Sequence, residues 1–197
     1  MMKLIANEAA TKLLSFSAGK KAAFLILLYE RMVPELRSFC LAEDRDFFIF
    51  EKARQEYWRS LLDGSRPISW AQLREDILDA TPDTEDFGSL EVSFALNAAL
   101  VAANIAGFMA DARDVHIVEA MEYPLESLHA YAIDQMGLVT YDKAINNIVG
   151  GHPLVQREAR TEEEDVAFLS TIEDPPWSES MYSLVRGRAE GQHGLLR

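Results

Sequence analysis

The stretch from Leu90 to Ala110 constrains the fold most, because a helix formed by it would be apolar on every side. Small residues are concentrated in its second half, at Ala98, Ala99, Ala102, Ala103, Ala106 and Gly107. A helix that is apolar all round must be surrounded by protein, and small residues let neighbouring helices approach closely. The stretch therefore predicts the central helix, at about 89–111, of a helical bundle.

The remainder of the chain also favours helices. No β-branched or aromatic run alternates cleanly with polar residues, and no Asn-Gly or Asp-Gly hairpin turn occurs. Ser69 to Gln72 and Thr161 to Glu164 both match capping boxes. The predicted helices are 5–15, 18–32, 34–42, 46–63, 69–80, 89–111, 114–136, 153–172 and 178–187. The prediction is an all-α, single-domain helical bundle, since 197 residues suit one core.

The C-terminal segment is predicted to be a short helix joined to the bundle by Asp174-Pro175-Pro176. Its apolar residues recur at helical spacing: Trp177, Met181, Leu184 and Val185. A helix this short is unstable alone in water, so it must dock on its own bundle or on a partner subunit. We divide the chain into a bundle at 1–173 and a docked helix with a frayed tail at 174–197, with fraying from about 188.

The charge balance restricts the class of partner. The chain has 19 basic and 32 acidic residues, and its formal net charge is −13. Because anionic surfaces repel such a chain, we expect neither nucleic acid nor membrane as a partner. The single cysteine and the absence of a signal-peptide pattern predict a cytoplasmic protein. The apolar stretches 22–29 and 94–110 fall short of the ~20 residues that span a bilayer.

One stripe of the helix predicted at 114–136 resembles a metal site. Glu126 and His129 have the Glu-x-x-His spacing of di-iron bundles, and Glu119 and Glu122 fall on the same face. The opposite face carries the apolar residues Ile117, Val118, Met121, Leu125, Leu128, Ala132 and Met136. The Glu/His stripe should therefore face water, and the chain has no second Glu-x-x-His. We predict no metal and no cofactor, since nucleotide-binding and nucleophile motifs are also lacking.

The segment "YERMVPELRSFC" at 29–40 groups a Glu-Arg pair, a proline and the only cysteine. A proline after Val33 favours a helix end followed by a new helix, so the pattern predicts a helix–Pro–helix corner. Glu30 and Arg31 share a side with Ile26 and Leu27. Because this side also carries apolar residues, another element of the chain or another chain could cover it.

A second polar feature lies on the central helix. Asn97, Asn104 and Asp111 are spaced by seven residues and form one stripe. Two interpretations remain open: a structural polar seam that fixes helix register, and the lining of a functional pocket.

Four segments resemble the YjaG-like bacterial proteins, which are defined by domain of unknown function 416. They are "ERMVP" followed by "FC", then "TPDTEDFGSL", "FALNAALVAANI" and "HPLVQRE", and they cover most of residues 20–160. The tail from about 161 matches poorly. The resemblance implies an all-α cytoplasmic protein with no assigned activity. Asn97 replaces an Asp of the family and His152 replaces an Asn, so no catalytic residue is transferred.

Two hypotheses for the function follow. The first is a protein–protein interaction or regulatory module, for example of the immunity type, that acts as a homodimer and engages a basic partner. The second is an enzyme with a pocket between helices that is lined by Glu30, Arg31, Asn97 and Asn104. The two differ in where Glu30 and Arg31 point: into a concave pocket with Asn97, or to a flat or inter-chain surface.

Overall fold

The computed structural model describes residues 7–64, 69–87, 89–138, 148–192 and 194–196. These residues contain eight helices with complete bounds, a further helical stretch at 148–150 and no strand, which confirms the all-α prediction. The helices are α1 (Asn7–Leu14), α2 (Ala18–Ala42), α3 (Phe48–Asp63), α4 (Trp70–Ala80), α5 (Leu90–Asp111), α6 (Val115–Gln135), α7 (Pro153–Thr171) and α8 (Glu179–Gly191).

Helix α5 lies at the centre of the bundle and packs mainly against α2, α4 and α6. Nearly every residue from Val92 to Phe108 is buried. By length and composition α5 could also span a membrane, but 72% of its most apolar window is buried inside the protein. Burial by neighbouring helices therefore accounts for its apolar surface, as predicted for a core helix.

Helix α2 corrects the predicted corner, because it continues without a break through Pro34. A proline inside a helix removes one backbone hydrogen bond and crowds the preceding turn. The residues on both sides of Pro34 are nevertheless packed in the core: Met32, Val33, Leu36, Phe39 and Cys40. Burial of this face offsets the cost of the proline, so tertiary packing overrides the local preference.

The two predicted capping boxes have different outcomes. Ser69 does cap α4, since its side-chain oxygen accepts a hydrogen bond from the backbone N–H of Gln72 at 3.3 Å. The prediction for Thr161 is wrong, because this residue lies inside α7 and its hydroxyl donates to the carbonyl of Arg157 at 2.9 Å. Residues 161–164 therefore belong to the interior of one helix that begins at Pro153.

The C-terminal segment docks on the chain's own bundle. Trp177 is buried, and its backbone N–H donates to the carbonyl of Leu61 at 2.9 Å. The helix of this segment extends further than the predicted 178–187: α8 runs to Gly191, and both Ala189 and Leu195 are buried. The predicted fraying from about 188 stays a prediction. Positions 193 and 197 lie outside the described residues.

Candidate functional site

Glu30 lies inside the bundle and faces α3. Arg54 donates to both of its carboxylate oxygens, at 2.7 Å from Nε and 2.9 Å from Nη2. The indole N–H of Trp58 donates to the first of these oxygens at 2.5 Å. Glu30 is 1% exposed, so water contributes little to its solvation. The two-pronged contact with Arg54 and the indole N–H together satisfy this buried carboxylate.

Arg31 is buried on the adjacent side of α2 and faces α7. Its Nε donates to Oε1 of Glu158 at 2.9 Å, and its Nη1 donates to Oδ2 of Asp165 at 2.6 Å. Burial alone would lower the pKa of Arg31, but attraction to Glu158 and Asp165 outweighs it and raises that pKa above its ordinary value. The guanidinium is therefore charged and fixed between two carboxylates.

The same carboxylates extend the network to α8. Oδ1 of Asp165 accepts a hydrogen bond from Nε of Arg188 at 2.6 Å and one from the side-chain amide of Gln192 at 3.2 Å. Asp165 is fully buried. One carboxylate thus joins α2, α7 and α8, and it connects the last turn of the C-terminal helix to the bundle.

Glu162 is the unusual member of this network. It is fully buried on α7, and neither of its carboxylate oxygens has a hydrogen-bond partner among the described residues. Burial and the neighbouring carboxylates, first Glu158 and then Asp165, raise the pKa of Glu162 well above its ordinary value, while Arg31 opposes them. The network therefore favours a neutral, protonated Glu162.

The four residues predicted to line one site do not lie together. Glu30 and Arg31 face different helices, and both are buried rather than directed into a concave pocket or onto an open surface. Asn97 and Asn104 contact α6 instead. None of the three cavities with fully described linings contains any of the four residues.

The polar stripe of α5 forms a seam with α6. The side-chain amide of Asn97 donates to the hydroxyl of Ser127 at 2.9 Å and to the carbonyl of Tyr123 at 3.3 Å. Asn104 donates to the carbonyl of Leu100 at 3.1 Å within α5. These contacts agree with a structural seam, and they satisfy amides that would otherwise be buried without partners.

His116 completes this seam and is absent from the sequence-based candidates. It is buried, and its two ring nitrogens lie 3.0 Å from Oδ1 of Asn104 and 3.3 Å from Oδ2 of Asp111. The ring also packs against Gly107, where an added Cβ would lie 2.6 Å from it. The glycine on the same helix, one turn before Asp111, was the sequence signal for this close approach.

The Glu/His stripe of α6 faces outward, as the helical pattern predicts. Glu119 and Glu126 are exposed, and Glu122 and His129 are half-buried. Two residues assigned to the opposite face, Val118 and Met136, are exposed as well. Within the described part of the chain, no group of three histidine, cysteine or acidic residues is arranged to hold a metal ion.

A groove of about 590 Å³ lies between the C-terminal half of α2, the start of α5 and the end of α6. Its apolar lining comprises Pro34, Phe39, Ala42, Leu90, Phe94, Tyr131 and Leu196. Its polar lining comprises Glu35, Glu43 and Glu91 together with Ser38 and Ser89. The lining residues that the structure describes include no basic, histidine or cysteine side chain. The volume is within the range of ligand-binding sites.

The acidic network around Arg31 was not identified from the sequence, although a signal was present. Glu158, Glu162 and Asp165 recur at i, i+4 and i+7 of α7, and they lie on the same helix face as the buried apolar residues Val155 and Val166. Acidic residues on the apolar face of a helix indicate buried charge, which requires a partner such as Arg31. The incorrect capping box at Thr161 interrupted that pattern.

The chain matches the family model described as protein of unknown function (DUF416) over residues 8–184. The match covers most of the chain, including the region after 161 where the sequence segments agreed poorly. The chain therefore belongs to the DUF416 family, as the resemblance predicted. The narrower YjaG-like label stays a prediction. No curated protein matches the chain.

A solved structure has the same fold. The crystal structure of a DUF416 family protein from Shewanella baltica OS155 superposes with a TM-score of 0.80. It is 19% identical in sequence, and the alignment covers 92% of each chain. At this level of identity the likeness shows the fold alone.

Proposed function

We propose that this DUF416 protein is a cytoplasmic interaction or regulatory module that binds a segment of another protein in the groove between α2, α5 and α6. The observation that carries the proposal is the lining of the groove. It combines an apolar floor with glutamate and serine side chains, and no basic, histidine or cysteine side chain is present among its described residues. Such a surface can bury apolar side chains of a partner.

The location of the other polar groups supports binding over catalysis. The charged residues in the middle of α2 are fully engaged by other helices: Glu30 by Arg54 and Trp58, and Arg31 by Glu158 and Asp165. Cys40 is buried, and burial raises the pKa of its thiol, which disfavours the nucleophilic thiolate. The enzyme hypothesis required Glu30, Arg31 and Asn97 in one pocket, and no observation favours it.

The homodimer predicted from the sequence stays a proposal. A second copy of the chain would bring another net charge of −13 towards the glutamates of the groove. Like charges placed opposite each other at an interface oppose association. We therefore assign the groove to a different protein, and light scattering of the purified chain tests the dimer separately.

Affinity capture from a lysate of the native cells tests the proposed function, with three baits compared by quantitative mass spectrometry. Ala42→Trp fills the groove from an exposed position without removing a core contact. Val118→Trp is the matched control, because it adds the same ring to an exposed site outside the lining. We expect proteins that the wild type and the control retain and Ala42→Trp loses. Identical captures by all three baits would contradict the proposal.

A further inference from the structure

The two helix ends that meet at the groove differ in charge. Helix α2 ends with Ala42, and helix α5 begins with Leu90, and both residues line the groove. The C-terminal end of a helix carries a partial negative charge and the N-terminal end a partial positive charge. The groove therefore has a negative end at α2 and a positive end at α5, before any side chain is considered.

The side chains increase the charge at the α2 end. Glu43 is the C-cap residue of α2, and no basic residue is present in the last turn. A glutamate at this position is unfavourable for the helix dipole, which prefers a cation there. Glu43 is exposed, and within the described ranges its carboxylate has no ion-pair partner. The chain thus holds an anionic group where its own folding would favour a cation.

At the α5 end of the groove, the partial positive charge of the helix is already balanced by a carboxylate. Glu91 lies in the first turn of α5, where a carboxylate stabilises the positive end of the helix. Its charge is therefore offset within the chain, unlike that of Glu43. Glu43 should therefore contribute more than Glu91 to the affinity for a cationic ligand, although both residues line the same groove.

The two arginines that flank this end of α2 in sequence, Arg37 and Arg45, are engaged elsewhere. Arg37 donates to Glu51 at 3.0 Å. Arg45 donates to the carbonyl of Ala80 at 3.1 Å, and its guanidinium lies 5.7 Å from the ring centre of Phe87. Neither arginine lines the groove, so neither supplies the cation that Glu43 lacks.

Most of the described residues that line the groove belong to helices α2, α5 and α6. None of them belongs to a β-strand, so an extended peptide could not bind here by pairing with a strand edge. Peptides that bind grooves between helices are typically amphipathic helices with apolar anchors at i, i+3 or i+4, and i+7. We infer that the groove binds a basic amphipathic helix of the partner protein, with lysine or arginine side chains at the Glu43 end. This inference rests on the proposed function and adds the chemistry of the partner.

Peptide display on the purified full-length chain tests the inference, with counter-selection against Ala42→Trp. The selected peptides are then synthesised and titrated by fluorescence anisotropy against three matched variants: Glu43→Gln, Glu91→Gln and Glu119→Gln. Glu119 is exposed on α6 and does not line the groove. We expect selected sequences with basic residues beside apolar residues at helical spacing.

In the titrations, Glu43→Gln should weaken binding about two- to fivefold, which is the range of one exposed charge pair. Glu91→Gln should have a smaller effect, Glu119→Gln none, and added salt should weaken wild-type binding. Groove-dependent peptides that lack basic residues, or that bind Glu43→Gln as tightly as wild type, would overturn the inferred chemistry and leave the proposed function intact. If the display yields no peptide that binds the wild type and fails to bind Ala42→Trp, both the inference and the proposed function are wrong.

Discussion

The middle and the C-terminal half of helix α2 use charge in opposite ways. In the middle, Glu30 and Arg31 are buried, and each is paired with residues of another helix. At the C-terminal end, the exposed Glu43 lines an apolar groove whose described lining residues include no basic side chain. A buried charge must be paired within the protein, whereas an exposed charge can be left for a partner. The comparison separates charge that holds the fold from charge available for recognition.

The largest effect is expected for Arg31→Met, which removes the cation between Glu158 and Asp165. Glu158 would then lose the counter-charge that pairs with it, and Asp165 would lose one of its two arginine partners, so the free energy of unfolding should fall by about 3–5 kcal/mol. Urea unfolding measures this change. Arg37→Met is the matched control on the same helix, because its contact with Glu51 is exposed and should contribute at most about 1 kcal/mol. Equal losses of stability in the two variants would contradict the proposed difference between buried and exposed charges on α2.

A smaller loss is expected for Trp58→Phe, which removes the N–H that donates to Glu30. Hydrogen bonds to charged groups contribute about 1.5–3 kcal/mol, and the ring of phenylalanine keeps much of the packing. The carboxylate of Glu30 keeps its two contacts with Arg54, so the protein should still fold. Thermal unfolding measures the change. An unchanged melting temperature would mean that the indole contact is not needed to stabilise the buried carboxylate.

Glu162→Gln should stabilise the protein at neutral pH, in contrast to the two preceding changes. The pKa of Glu162 is raised in the folded state, so the folded chain binds this proton more tightly than the unfolded chain. As the pH rises above 4.5, the ordinary pKa, Glu162 loses its proton in the unfolded chain but keeps it in the folded chain. The free energy of unfolding therefore falls with rising pH until the raised folded-state pKa of Glu162 is reached.

Urea titrations at several pH values test this prediction. The stability gained by Glu162→Gln should be smallest near pH 4.5 and should grow with rising pH. Glu119→Gln, at an exposed position, is the control and should show little pH dependence. A destabilising Glu162→Gln, with a loss that grows with pH, would mean that the charged carboxylate is required by the network.

The smallest effect on stability is expected for Glu43→Gln. Removing a negative charge from the C-terminal end of α2 should raise the free energy of unfolding by about 0.5 kcal/mol or less, and added salt should reduce the gain. The same variant should weaken binding of basic peptides. A gain in stability combined with a loss of binding is the signature of charge kept for a partner. A loss of stability would instead place Glu43 with the charges that hold the fold.

The two internal prolines show how far the sequence could predict the fold. Helix α6 was predicted across Pro124 and is continuous there, while α2 was predicted to break at Pro34 and does not. The local cost of proline is similar in both helices. The outcome depends on how much apolar surface the flanking turns bury, and that quantity is set by residues distant in sequence.

The candidate site was predicted less completely than the fold. The stripe of Asn97, Asn104 and Asp111 was recognised from its spacing, but His116, which binds two of its members, was not. The partner of Arg31 was also missed, since Glu158 lies 127 residues further along the chain. A sequence pattern defines the face of one helix and does not show which other helix covers it.

The sequence by itself determined the helical class, the buried central helix and the outward Glu/His stripe of α6. These features follow from periodicity within a single element, which local side-chain spacing defines. Only the tertiary structure decided that Glu30 and Arg31 are buried, that α2 continues through Pro34 and that its end forms a groove with α5. These features depend on which elements pack together, because burial and pairing are properties of contacts between helices that are distant along the chain.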